Sequence, residues 1–481
     1  MSRRVDAVVV GSGPGGSVTA DGLAAAGLDV LVLEEGPRVA PETQVQYSLD
    51  QMAESYRNAG LTAALGAPTI AYTEGCVVGG GSEVNSGLYH RPSAQLLADW
   101  TRTHRIEDLA PEALLPHHRR VEESLGIDDD LGAAHGGGAG RLLRDGADTL
   151  GWHAVHVPRA ARASASGTVE RQTMSRTYLA RAEQGGVEVQ DSTRVVRVLR
   201  RGARAVGVEV VRRAGGRDVR ELLHADVVFV CGGTIQTPAL LQRSGWRRHV
   251  GGNLSVHPTV KVVAELPEHV DDLGDLGEVA SVQVREFAPW LSFGSSASTH
   301  AMVALALSEN WDSFGPQLER WQRLGVHYAA IQTTGRGRVQ AVPGRRDPVV
   351  TYRLSALDRA RLRSGLARLM HLLLAGGSPQ LLPAFSGARA VTGRDDAVSV
   401  AEGFRPTRSS LMTVHLAGTV PMGEDRDRCG ADSFGALHDA ERLWVNDASL
   451  LPWAPGINPQ GTLMAIAHRN VARFLADQGA R

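Results

Sequence analysis

Residues 5–16 read Val5-Asp6-Ala7-Val8-Val9-Val10-Gly11-Ser12-Gly13-Pro14-Gly15-Gly16. Six residues with a strand's apolar texture run into a Gly-rich turn. Ser17 to Ala26 then reads as a small-residue helix closed by Gly27, and Val30-Leu31-Val32-Leu33 as a second strand. This is a βαβ unit, and Gly11, Gly13 and Gly16 form G-x-G-x-x-G directly after its first strand. Gly11 makes the tight turn, Gly13 lets backbone approach a pyrophosphate, and Gly16 lets helix and strand pack closely. The N–H groups and positive dipole of the helix N-terminus, reached through Pro14 and Gly15, face the phosphates. Glu34 ends the second strand, placed to accept hydrogen bonds from an adenosine ribose and to repel a 2′-phosphate. The motif specifies a dinucleotide and leaves NAD and FAD open.

The rest of the 481 residues suits a globular protein with a sizeable core: 43% are hydrophobic and 21% charged. The formal net charge of −1 argues against a nucleic-acid partner. No apolar run is long enough to span a membrane. The short strand at Val5 has no cleavage-site pattern after it, and three cysteines make no disulfide framework, so a cytoplasmic setting is expected. Lys261 is the one lysine among 51 basic residues, which we read as a coding preference for arginine. Segments 195–199 and 206–211 flank Gly202 as a hairpin would, and Ala225 to Val230 is a strand. Residues 92–190 look helical and charged, with a Gly/Ala-rich loop at 133–140. Further helices are expected near Leu357–Leu374 and Pro459–Leu475.

A second Gly-rich stretch, Val78-Gly79-Gly80-Gly81-Ser82-Glu83-Val84-Asn85-Ser86-Gly87, is another place where backbone must approach a ligand. Near the C-terminus stand Leu443-Trp444-Val445-Asn446-Asp447-Ala448-Ser449, Gly456-Ile457-Asn458-Pro459-Gln460-Gly461-Thr462 and Ala465 to Asn470. These motifs, in this order, resemble the glucose–methanol–choline (GMC) family of FAD-dependent oxidoreductases, and most closely its bacterial cholesterol oxidase branch. The resemblance covers about a third of the chain, at both ends and around 225–258. It implies an α/β fold: a Rossmann-like FAD-binding domain (1–95, 168–260 and 400–481) interleaved with an α+β substrate or cap domain (96–167 and 261–399) built on an antiparallel sheet.

By the same resemblance the dinucleotide is FAD, its pyrophosphate on Gly11 to Gly16 and its ribose on Glu34. Val195 occupies the strand that meets the adenine. Gly80, Ser82, Asn85 and Gly87 would line the flavin, and Asp447 with Ala448 the ribityl chain. Some relatives attach FAD through a His just before the Asn of this loop; Val84 stands there, so non-covalent FAD is expected. Met412 to Thr419 resembles the family's H-x-x-G motif and makes His415 the candidate base. Asn458 matches a position held by Asn or His in relatives, and Pro459 follows it beside the flavin. Alcohol oxidation removes a hydroxyl proton and a hydride from one carbon. The hydride goes to flavin N5, a neutral His can take the proton, and an Asn amide can hold the developing alkoxide. Asn458-Pro459 is also good helix-start grammar, Asn at the N-cap and Pro first.

The expected activity is oxidation of a primary or secondary alcohol to an aldehyde or ketone. The substrate would be a cyclic alcohol or a sugar- or aminoglycoside-type hydroxyl, and oxygen or another acceptor would reoxidise the flavin. Some proteins on this fold are hydroxynitrile lyases without redox turnover, which is the alternative. An NAD-linked dehydrogenase and a non-catalytic binding protein rank lower. His117 and His118 read as a solvated helix face and His257 as structural, with His90 in reserve. Cys76 and Cys231 read as small hydrophobes, and the acidic run 271–278 as a solvated loop. No metal-binding spacing is found.

Overall fold

The computed structural model describes residues 4–40, 43–128, 137–163, 169–214, 217–267 and 279–479. Arg4–Val10 lies at the centre of a seven-stranded sheet, parallel to Val30–Leu33 on one side and to Arg217–Val230 on the other. Glu188–Gln190 extends the sheet beyond Val30–Leu33. The antiparallel hairpin Thr193–Arg201 and Arg204–Ala214 extends it past the first half of Arg217–Val230, whose end also takes Leu443–Val445 in parallel. Val30–Leu33 is buried throughout, as a strand covered on both faces requires. Ala7, Val9, Val30 and Val32 pack in one cluster with Leu23, Val471 and Phe474 of helices Pro14–Ala25 and Gln460–Gly479. Val8, Val10, Leu31 and Leu33 share another with Leu97, Trp100 and Leu241. The alternation of a strand sends its side chains to both covers.

A nine-stranded sheet forms the second layer. Its order is Thr62–Ala64, Ile70–Tyr72, Leu411–Thr413, Thr259–Glu265, Leu324–Ile331, Leu291–Ser295, Val282–Val284 and Ala154–His156, with Leu381–Pro383 paired to Thr259–Glu265. All its pairings are antiparallel except Leu411–Thr413 on Ile70–Tyr72. Helix Ala356–Ala375 packs on one face, where Gly365 lets it approach Leu291, Ala329 and Ile331, and Gly146 brings helix Gly137–Leu150 against it. The opposite face carries His257, Thr259 and Lys261 from one chain segment and Tyr328, Ala330 and Gln332 from its neighbour, all towards a cavity. Strands from residues 62–72 and 411–413 join this layer, so the chain passes between the two sheets near both ends.

The fold is the α/β architecture expected, with several local differences. The Gly/Ala-rich loop lies outside the described residues for 133–136, and from Gly137 on it is the first turn of a helix. Residues 92–190 hold strands as well as helices, among them Ala154–His156 and Arg159–Ala163. His118 is not a solvated residue: it is buried and hydrogen-bonded to the Tyr89 hydroxyl at 3.0 Å. His117 meets His468 at 2.8 Å. Both histidines lie on helix Pro111–Leu125, and helix Gln460–Gly479 packs against it. The acidic run 271–278 lies outside the described residues. Among the described residues no helix is long and apolar enough to cross a membrane.

Candidate functional site

A cavity of about 1180 Å³ runs from the Gly11 turn to the open face of the second sheet. Gly11 (φ +98°) carries the chain from the first strand into the helix, and a Cβ there would meet the Cys231 carbonyl oxygen at 2.5 Å. A Cβ on Gly16 would sit 1.9 Å from the Gly11 oxygen, so this glycine serves packing. Gly13 is different, because a Cβ there meets nothing nearer than Gly80 Cα at 4.0 Å. Gly80 (φ +57°) faces Gly13, and a Cβ on it would come within 2.7 Å of Gly13 Cα. The two Gly-rich stretches therefore meet backbone to backbone and leave room at Gly13.

Ser12, which the motif treats as a spacer, ties this arrangement together. Its N–H and hydroxyl donate to Glu34 Oε2 at 2.9 and 2.7 Å, and its oxygen accepts the Gly79 N–H at 2.9 Å. Glu34 Oε1 accepts from Gly36 N–H at 2.9 Å. Burial pushes the Glu34 carboxyl up against the pull of those three bonds. Asp447 is similarly engaged: it accepts from Gly233 N–H (2.8 Å), the Thr237 hydroxyl (2.5 Å) and Ser449 N–H (2.7 Å).

Gly11, Gly13, Pro14, Gly15, Glu34, Gly80, Asn85, Gly87, Val195, Asp447, Ala448, Asn458 and Pro459 all line the cavity. Ser82 does not: its hydroxyl donates to the Gly79 oxygen (2.8 Å) and accepts Met174 N–H (3.0 Å), holding the loop's shape. Asn85 accepts Gly87 N–H at 2.8 Å and donates to Gln460 at 2.5 Å.

At the other end His415 sits half-buried between partners. Its Nε2 lies 3.2 Å from the Asn458 amide and its Nδ1 3.2 Å from His257 Nδ1. Gly456 N–H donates to His257 Nε2 at 2.7 Å. That backbone donor fixes neutral His257 with its proton on Nδ1, which points at His415 Nδ1. Resting neutral His415 then holds its own proton on Nε2, which calls for the Asn458 amide oxygen in place of the Nδ2 that lies there at 3.2 Å while that oxygen accepts from Gln283. Burial, then His257, then His90 hold the His415 imidazolium well below its usual range. His257 is pushed down to about 4 by burial, and His90 to about 4 by burial and Arg285. Asn458 also meets Gln283 at 3.2 Å. Its side chain serves this cluster, and the helix begins at Gln460. His257, expected as a structural residue, lines the cavity and contacts His415. Gln283 lay in the stretch where the sequence shows no motif. Only the His-Pro pair at 257–258 carried a signal.

Family models described as GMC oxidoreductase match residues 52–259 and 333–467, and one described as an NAD(P)-binding Rossmann-like domain matches 9–49. An uncharacterised GMC-type oxidoreductase, y4nJ, of Sinorhizobium fredii is 36% identical over 98% of this chain and 94% of its own. The chain belongs to the GMC oxidoreductase family. Two further relatives of this GMC protein are a long-chain-alcohol oxidase, FAO3, of Arabidopsis thaliana (25% identical, 97% of this chain, 67% of its own) and a 6'''-hydroxyparomomycin C oxidase of Streptomyces lividus (25%, 99% and 93%). Among solved structures, pyridoxine 4-oxidase shares the fold at a TM-score of 0.71, with 19% identity over 98% of this chain and 99% of that one. As a family member the protein is an FAD-dependent oxidoreductase. The residues present fit that cofactor: Gly13 leaves room beside a helix N-terminus, and the buried Glu34 carboxylate lines the same cavity.

Proposed function

We propose that this GMC oxidoreductase oxidises an alcohol to an aldehyde or ketone, with His415 and Asn458 acting at the alcohol oxygen. The observation that carries the reading is the 3.2 Å approach of His415 Nε2 to the Asn458 amide at the cavity wall, beside the Gly80–Gly87 loop. Bound FAD supplies the hydride acceptor. Gly11, Gly13, Gly80 and the helix beginning at Pro14 would hold its pyrophosphate, and Glu34 its ribose. Val84 offers no nucleophile to the cofactor, which supports non-covalent binding.

His415 receives the hydroxyl proton only with its lone pair on Nε2 and its own proton on Nδ1. His257 Nδ1 then becomes the acceptor, and the bond from Gly456 N–H is given up at about 1–3 kcal/mol. Asn458 then presents its amide N–H groups to the alkoxide. Because burial keeps both histidines neutral, His415 has an unprotonated nitrogen at neutral pH.

The substrate half of the cavity favours an alcohol with an apolar body. Helix His300–Leu307 contributes Ala301, Met302, Ala304 and Leu305 to the wall, and Met412 also lines the cavity. A sterol-like ring system and an aliphatic chain both fit that chemistry, whereas a polycationic aminoglycoside would meet the Lys261 ammonium. The test is anaerobic mixing of the holoenzyme with a panel of alcohols. Loss of the oxidised-flavin absorbance supports the reading, and product formation without any bleaching points to a lyase.

A further inference from the structure

Lys261 stands on strand Thr259–Glu265, opposite Tyr328 in register, and both side chains face the cavity. It lies outside the segments matched by the two GMC family models, 52–259 and 333–467. Four arginines also line the cavity, but Arg57, Arg194 and Arg346 pair with Glu35 and Arg243 donates to the Val196 oxygen. The carboxylates Glu34, Glu35, Glu74 and Asp447 line the nucleotide half, and each has hydrogen-bond or ion-pair partners there. No hydrogen bond or ion pair joins the Lys261 amine to any described residue. Burial alone brings it down to about 8, so it remains mostly protonated at pH 7. A cation without a charge partner on a cavity wall favours a ligand that brings an anion to it.

We propose that Lys261 binds a carboxylate of the substrate, which makes the preferred substrate a hydroxy acid with an apolar segment between its two ends. This rests on the alcohol-oxidising function proposed above and adds the substrate class. One ammonium balances one negative charge, which favours a carboxylate monoanion over a phosphate dianion. Residue 261 is four positions beyond His257, so their Cα atoms lie at most about 14 Å apart along the chain, a span that a chain of several carbons covers. Thr259 stands between them on the same face, and apolar Ala330, Met412 and Ala301, Met302, Ala304 and Leu305 of helix His300–Leu307 also line the cavity. A compact ammonium suits this role better than the forked guanidinium found at every other basic position of the chain.

The test compares ω-hydroxy carboxylates of increasing chain length with diols of the same lengths, using the holoenzyme and measuring kcat/KM from flavin reduction. At the optimal length the hydroxy acid should exceed the diol by tenfold or more. In Lys261→Met that ratio should fall at least tenfold, chiefly through KM, and Lys261→Arg should recover part of it. The wild-type protein gives a second readout: alkanoates without a hydroxyl should compete with the substrate, and alkylamines of equal length should not. Equal efficiency for acid and diol, or equal inhibition by alkanoate and alkylamine, overturns the assignment of Lys261. Absence of flavin reduction by every alcohol tested would instead overturn the alcohol-oxidising function itself.

Discussion

His257 Nδ1 and His415 Nδ1 lie 3.2 Å apart, and Gly456 N–H donates to the far nitrogen of His257. Two neutral imidazoles can share only one proton across that edge, so the backbone of Gly456 selects which ring carries it. Replacing His257 by Asn removes one of the causes that hold the His415 imidazolium down, while burial, the largest, remains. Turnover needs neutral His415, so the acid limb of the wild-type kcat profile should fall well below pH 6.5. In His257→Asn it should move upward and stay below 6.5. With the orienting hydrogen bond lost, about 1–1.5 kcal/mol, kcat should drop roughly tenfold. A profile that does not move would remove His257 from the site.

The two glycines of the first turn should respond differently to alanine. At Gly16 a Cβ would clash with the Gly11 oxygen, so Gly16→Ala should misfold or melt far lower. At Gly13 the protein's own atoms leave room, so Gly13→Ala should keep its apoprotein melting temperature yet bind FAD at least tenfold more weakly. Calorimetry of the apoprotein and FAD titration separate the two effects.

Glu34→Gln keeps the side chain's shape but replaces one acceptor oxygen by an amide that faces N–H donors from Ser12 or Gly36. Charge-assisted bonds of this kind contribute about 1.5–3 kcal/mol, so FAD affinity should fall by one to two orders of magnitude. Ultrafiltration of the holoenzyme and absorbance of the filtrate measure it. Retention of FAD at the wild-type level would exclude Glu34 from the ribose site.

Acid should destabilise the protein over a defined window. His90, His104, His117, His118, His257 and His327 are all pushed down to about 4, chiefly by burial. Unfolded histidines take up protons below about pH 6.5 while the folded ones stay neutral, so the unfolded state binds more protons between about 6.5 and 4. The stability contributed by these neutral rings is complete above 6.5 and is lost as pH falls towards 4. A melting temperature that is flat across that window would contradict the neutral, buried state of these rings.

The nucleotide half was legible because backbone geometry demands particular residues there. Gly11, Gly16 and Gly80 are glycine for reasons of φ or close approach, and such demands show as spacing. The strands and the last helix were readable from apolar period. Ser12 was hidden because any small polar residue satisfies the motif at that position, and its bonds to Glu34 and Gly79 exist only after the two loops meet. His118 was misread because its neighbours Arg119 and Arg120 suggested a solvated face, while Tyr89, distant in sequence, buries it. Lys261, Gln283 and Tyr328 converge through antiparallel register in the middle of the chain, where pairing of distant strands decides which side chain faces the cavity. No local pattern reports that pairing.

The most direct test of the central assignment is anaerobic stopped-flow reduction of the bound flavin in wild type, His415→Ala and Asn458→Ala with one reactive alcohol. The expected result is bleaching in the wild type and at least about 100-fold slower bleaching in His415→Ala, with FAD content unchanged. Asn458→Ala should fall by a similar factor, as loss of one alkoxide donor implies. Bleaching at the wild-type rate in both variants, with FAD fully bound, would contradict it.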